Sequence, residues 1–165
     1  MKKWFYSSFI VLLCTVLIAC SGWHLRGHVA LSEKLRLLAI APDNPYDPLQ
    51  QELRDVLYLN DVNVVSIAAK PTAILQLENE HFTITELVID RAGQPTENKL
   101  HYTITLTVVD SKGDILAKKQ TVNVERYLRY NPNYLLSSQE EEKLVEKAMR
   151  KDVVNQMMRR LEKVE

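Results

Sequence analysis

Two cysteines, four histidines and the acidic run Glu140, Glu141 and Glu142 are the side chains here with chemistry to offer beyond surface charge. His24 and His28 have the i, i+4 spacing of helical zinc ligands, but no Glu follows His24 to complete a zinc-protease motif. His81 and His101 fall on separate predicted strands and read as surface or satisfied polar residues. No Gly-x-Ser-x-Gly elbow is present, and no cysteine of the folded part remains to pair with a histidine. Gly22, Gly27, Gly93 and Gly113 are too scattered to build a phosphate-cradling loop. The three glutamates stand at a predicted helix start, where the macrodipole accounts for them without catalysis. Nothing points to a pair of glycosidase carboxylates. The residues argue against an enzyme, and no metal or cofactor is expected.

Cys20 has a more telling context. Lys2 and Lys3 precede an apolar run from Phe9 to Ile18, which leads into Leu17-Ile18-Ala19-Cys20. A bilayer-spanning helix needs about 20 apolar residues, and a run near ten has the length of a signal-peptide core. The aliphatic residue, the small Ala19 and the cysteine directly after it resemble the bacterial lipoprotein box, in which the thiol is acylated before cleavage. Residues 1–19 are therefore expected to be removed, 20–34 to form an acylated N-terminal segment, and 35–165 to fold as a single domain. The competing readings are an uncleaved anchor and an ordinary secretory peptide with a chance cysteine. Two or more acyl chains hold a protein firmly to a membrane, because each buried methylene contributes about 0.8 kcal/mol. Ser21 stands where an inner-membrane retention signal typically has Asp, so resemblance to that sorting rule implies the outer membrane.

The chain from Cys20 has 146 residues and a net charge of −2 once Lys2 and Lys3 leave. That is one domain with a real core and no strong overall field, which makes nucleic acid a poor candidate partner. Cys14 departs with the signal, so packing rather than disulfides must stabilise the fold.

The elements follow from periodicity. Leu35 to Ala41 is nearly continuous apolar sequence, a strand covered on both faces. Asp47-Pro48-Leu49-Gln50 is a helix start with an N-cap acid, proline at the first helical position and glutamine at N3. Leu49, Leu53, Val56 and Leu57 share one face of that helix, and Asn60 is its stop. Val62 to Ile67 is extended again, which predicts a right-handed parallel crossover. Three longer strands, Ile74 to Ile89, Leu100 to Val109 and Ile115 to Leu128, should form an antiparallel meander. In the middle one Leu100, Tyr102, Ile104, Leu106 and Val108 alternate with Thr103, Thr105 and Thr107. The first changes phase near Glu86, predicting a bulge. Asp90-Arg91-Ala92-Gly93 and Asp110-Ser111-Lys112-Gly113 have the form of type I turns. A long helix opens at Ser137 or Ser138, with the three acids in its first turn, and ends near Arg159, Arg160 and Lys163. Val145, Met149, Val153, Met157 and Leu161, widened by Leu144, Ala148, Val154 and Met158, give it a core face, although methionines also suit an adaptable binding face. The predicted fold is α+β: two helices packed on one face of a mixed, mostly antiparallel four- to five-stranded sheet.

The polar stretch Asp90 to Lys99 forms the tip of the longest hairpin and carries Arg91 and Lys99, basic groups suited to phosphate. A solvated turn with ordinary surface charges is the plainer reading.

Cys20-Ser21-Gly22-Trp23-His24-Leu25-Arg26-Gly27, with one extra residue at Ser21, resembles the acylated start of the LptE family, the LPS-assembly lipoproteins also called rare lipoprotein B. The similarity continues through Asp47-Pro48-Leu49, Leu57-x-Leu59-Asn60-x-Val62, Arg91-x-Gly93-Gln94, Arg126, Asn131-Pro132 and the terminal helix. The resemblance implies a non-enzymatic outer-membrane lipoprotein that plugs the β-barrel LptD, assists its assembly and contacts lipopolysaccharide during insertion into the outer leaflet. It implies a lipid anchor on the periplasmic side, a body inside the barrel lumen, and Arg91 as the lipopolysaccharide-binding candidate. A second basic position of some family members falls near Ser138, a departure here, and a C-terminal polar tail is missing. The threonine face of the middle strand suits a water-lined lumen. The alternative is another outer-membrane lipoprotein, such as an envelope hydrolase or a protein inhibitor of one.

Overall fold

The computed structural model describes residues 31–89, 91, 93, 95–129 and 135–164. The expected signal segment 1–19, Cys20, His24, His28, Asp90, Gln94, Asn131 and Pro132 lie outside the described residues. The elements are β1 (Leu37–Ala41), α1 (Pro48–Leu59), β2 (Asn63–Val64), β3 (Ala73–Ile89), β4 (Pro95–Asp110), β5 (Ile115–Arg129) and α2 (Leu135–Leu161), with 3-10 turns at Glu33–Leu35 and Ile67–Ala69.

Among the described residues the sheet has five strands in the order β2-β1-β3-β4-β5. β1 runs parallel to both neighbours, and β3, β4 and β5 form the antiparallel meander. The fold is thus α+β, with two helices and a mixed sheet, as the periodicity predicts. β1 is shorter than expected because Leu35 enters the core from a 3-10 turn. Leu38, Ala39 and Ile40 are buried whichever way they point, as a strand covered on both faces requires. β2 has only two paired residues before the chain coils into the second 3-10 turn.

The start of α1 is as read. Asp47 Oδ1 accepts from the Leu49 N–H at 2.8 Å, and Pro48 is the first helical residue. Gln50 does something else. Its amide donates to the Pro42 carbonyl at 3.1 Å and its oxygen accepts from the Asn44 N–H at 3.0 Å, so it pins the loop behind β1. Leu49, Leu53 and Leu57 enter the core, and Asn60 closes the helix by donating to the Val56 carbonyl.

Met149, Val153, Val154, Met157, Met158 and Leu161 of α2 are fully packed, which makes the methionines core. Leu144 and Ala148 are not: Leu144 is 67% exposed and Ala148 is also exposed. They sit on the flank of the stripe, ahead of the fully buried run that begins at Met149, whereas Val145 between them is half-buried and packs against the core. The helix also begins at Leu135, so Glu140 to Glu142 fall beyond its first turn, where the dipole acts more weakly.

Strand direction gives the domain two poles. β1 pairs with β3 only through Ala73 to Gln76, and β3 then runs on from Leu77 to Ile89. At about 3.3 Å per residue those thirteen residues carry the β3–β4 tip roughly 40 Å beyond the last β1 contact. The chain entering β1 lies at the opposite pole.

Candidate functional site

The projecting hairpin places Arg91 in the connection between Ile89 and Pro95, exposed and without a partner among the described residues. Gly93 has φ +81, a conformation L side chains rarely adopt, which is why a glycine ends this tight connection. The sister turn can be followed atom by atom. Asp110 Oδ1 accepts from the N–H groups of Lys112 at 2.7 Å and Asp114 at 2.9 Å, with Gly113 at φ +95. Those backbone donors, Asp114 foremost, hold the Asp110 carboxyl below its usual range.

Lys99 is not at the tip. β4 begins at Pro95, and Lys99 stands within it, opposite Thr85 and Tyr127, with its ammonium 2.8 Å from Glu125 Oε1. The hydrogen bond to Glu125 raises the lysine's affinity for its proton and lowers that of the glutamate. Thr96, Glu97 and Asn98 look like loop residues by polarity, yet their backbones are held extended between β3 and β5. Asn98 is 7% exposed, on the same face as Leu100 and Leu128, and its Oδ1 has no hydrogen-bond partner.

Behind Arg91 runs an apolar band that the sequence reading treats only as a change of phase. Ile84, Leu87, Val88 and Ile89 are all 41–56% exposed, along a β3 edge that has no partner strand beyond Gln76 among the described residues. The register shifts between Glu86 and Val88, where a bulge is predicted, and a further shift between Glu78 and His81 accompanies Asn79 at φ +52. The phase change was the available signal: it makes both parities apolar on a hairpin too far out to be covered. A guanidinium capping an exposed apolar band is chemically matched to an amphiphile with anionic head groups.

The outer sheet face is polar but less open than alternation suggests. Thr103 donates to Asn123 at 2.8 Å, and Thr105 is buried, its hydroxyl 3.2 Å from that of Thr121. Thr105 is flanked by Glu78 and Thr121 on the neighbouring strands, so the exposed polarity comes from Glu78, His81, Lys119, Asn123 and Glu125. His81 and His101 lie on this face, and among the described residues no three metal-ligating side chains converge. Arg126 is ion-paired with Asp152 and ties β5 to α2. The backbone of Ser138 is helical, and its side chain lies outside the described residues.

These features define a small α+β domain built around one projecting hairpin, with its sheet packed against a long terminal helix. The chain belongs to the LptE family: the family described as LptE, Lipopolysaccharide-assembly, matches residues 35–161. The chain is similar to the LPS-assembly lipoprotein LptE of Photorhabdus laumondii, with 24% identity over 149 residues covering 90% of this chain and 81% of that one. It is 28% identical over 150 residues to the LPS-assembly lipoprotein LptE of Pectobacterium atrosepticum, covering 90% and 80%. Among solved structures, lipoprotein B from Nitrosomonas europaea superposes with a TM-score of 0.67 at 27% identity, covering 84% of this chain and 88% of that one.

Proposed function

We propose that this chain is a non-catalytic outer-membrane lipoprotein, acylated on Cys20, that docks in the LptD β-barrel, assists its assembly and contacts lipopolysaccharide through Arg91 during insertion into the outer leaflet. The observation that carries the reading is the Arg91 guanidinium, exposed and without a partner among the described residues, at the end of the exposed band Ile84 to Ile89 and at the pole opposite the chain's entry into β1. Lipopolysaccharide offers phosphates to the first and acyl chains to the second, while a lipid on Cys20 would hold the other pole at the periplasmic side. Family membership supports the same assignment. The test is affinity capture of the tagged full chain from detergent-solubilised outer membranes. LptD should co-purify in stoichiometric amount, and mass spectrometry should find Cys20 N-terminal and acylated. Recovery of the lipoprotein alone would count against docking, and an unmodified Cys20 thiol against the anchor.

A further inference from the structure

β5 is the last strand of the sheet. Among the described residues it pairs only with β4, so its other edge offers backbone N–H and C=O groups that no strand satisfies. Proteins usually blunt such an edge with bulges or keep it short. Here the register shifts fall near the start of β5, between Ile115 and Gln120, and the ladder is regular over the ten residues from Gln120 to Arg129.

α2 runs beside this edge and leaves a groove of about 380 Å³. Residues 123–126, Glu125 among them, line it from the strand, and Asp152, Asn155, Gln156 and Arg159 from the helix. The helical four are spaced i, i+3, i+4 and i+7, one face of α2. The Arg126–Asp152 ion pair joins the two walls. Asn155, Gln156 and Arg159 have no hydrogen-bond or ion-pair partner among the described residues, so their donors and acceptors are available.

The shape and the charge restrict the occupant. A row of unpaired edge groups is satisfied by an extended backbone, the mode by which strand addition seats a peptide between a sheet edge and a helix. Along the regular stretch Glu125 is paired with Lys99 and Arg126 with Asp152, which leaves Arg129 on the strand and Arg159 on the facing helix as cations without a partner among the described residues. We infer that an extended, acidic segment of the protein partner adds to the free edge of β5 as a sixth strand, lying in the groove against α2 with a carboxylate at Arg159.

The inference rests on the docking role proposed above and specifies the surface that performs it. Its test uses the full-length lipoprotein in detergent, free and co-purified with LptD, with hydrogen exchange followed by mass spectrometry. Strand addition slows exchange across Gln120 to Arg129 at least tenfold in the complex, and Arg159→Glu lowers the yield of complex about tenfold while Lys112→Glu, on the β4–β5 turn, leaves it unchanged. A complex that forms with unchanged exchange at β5, or that tolerates Arg159→Glu, overturns the inference and leaves the docking role standing. Failure of the unmutated chain to capture LptD overturns both.

Discussion

The Tyr102 hydroxyl, carried on β4, donates a hydrogen bond to the Glu80 carboxylate on the bulged stretch of β3. Asn79, at φ +52, adds the residue that throws the register and precedes Glu80 in the bulge. Tyr102 is otherwise buried, and its ring packs against Phe82 with centroids 5.8 Å apart. Removing the hydroxyl with Tyr102→Phe keeps the packing and strips Glu80 of its donor. The expected cost is about 1 kcal/mol, the usual net worth of such a bond, read as a lower urea midpoint with an unchanged slope. An unaltered midpoint would show that water replaces the phenol without loss.

Desolvation raises the Glu80 carboxyl above the ordinary 4.5, although much of the side chain stays open to solvent. The Tyr102 bond and the Arg150 charge oppose the shift, and the Asp47 carboxylate adds to it. A carboxyl with a raised folded-state value binds its proton more tightly in the folded chain. Its contribution is therefore fully present below the unfolded value and is lost as pH rises through the folded one. Glu80→Gln should remove that loss, so the variant gains stability relative to the unmutated chain as pH rises from about 4.5. Parallel stability profiles across this window would contradict the assignment to Glu80.

Arg91 is exposed and has no partner among the described residues, so Arg91→Asp should leave the melting temperature unchanged. Lipopolysaccharide binding should weaken by about tenfold, since a charge-assisted hydrogen bond to phosphate is worth about 1.5–3 kcal/mol and part of that is screened at an exposed tip. Binding measured on the folded variant decides this, and undiminished affinity would remove Arg91 from the site.

The two flanks of α2 should respond differently to substitution. Met157 is fully buried, and Met157→Ala should cost about 2–5 kcal/mol in denaturant unfolding. Leu144, 67% exposed, should tolerate Leu144→Ser within about 0.5 kcal/mol. A large cost at Leu144 in the isolated protein would show that the helical stripe continues farther toward Leu135 than the packing indicates.

Much of the fold was legible because it rests on local rules. The Asp47-Pro48 cap, the face formed by Leu49, Leu53 and Leu57, and the alternation from Leu100 to Val108 each follow from a side chain's relation to neighbours a few residues away. The exposed position of Arg91 was legible for a similar reason, since Gly93 marks a turn and turns carry exposed side chains. Lys99 was misplaced because polarity was taken for a loop, whereas the strand continues there through backbone pairing that no side chain announces. The β5–α2 groove could not be read at all. Its walls come from residues 123–126 and 152–159, which only packing brings together.

Period and turn chemistry, being properties of short stretches, were enough to place most of the helices and strands, the apolar faces of α1 and of the middle of β4, and a basic residue at the connection of the longest hairpin. The tertiary structure decided the rest. It set β1 parallel between β2 and β3, ended that pairing at Gln76 so that an apolar hairpin stands uncovered, and drew Lys99 to Glu125 and Arg126 to Asp152. Each of these joins residues distant along the chain, and their energies depend on a register and a burial that exist only once the whole domain has closed.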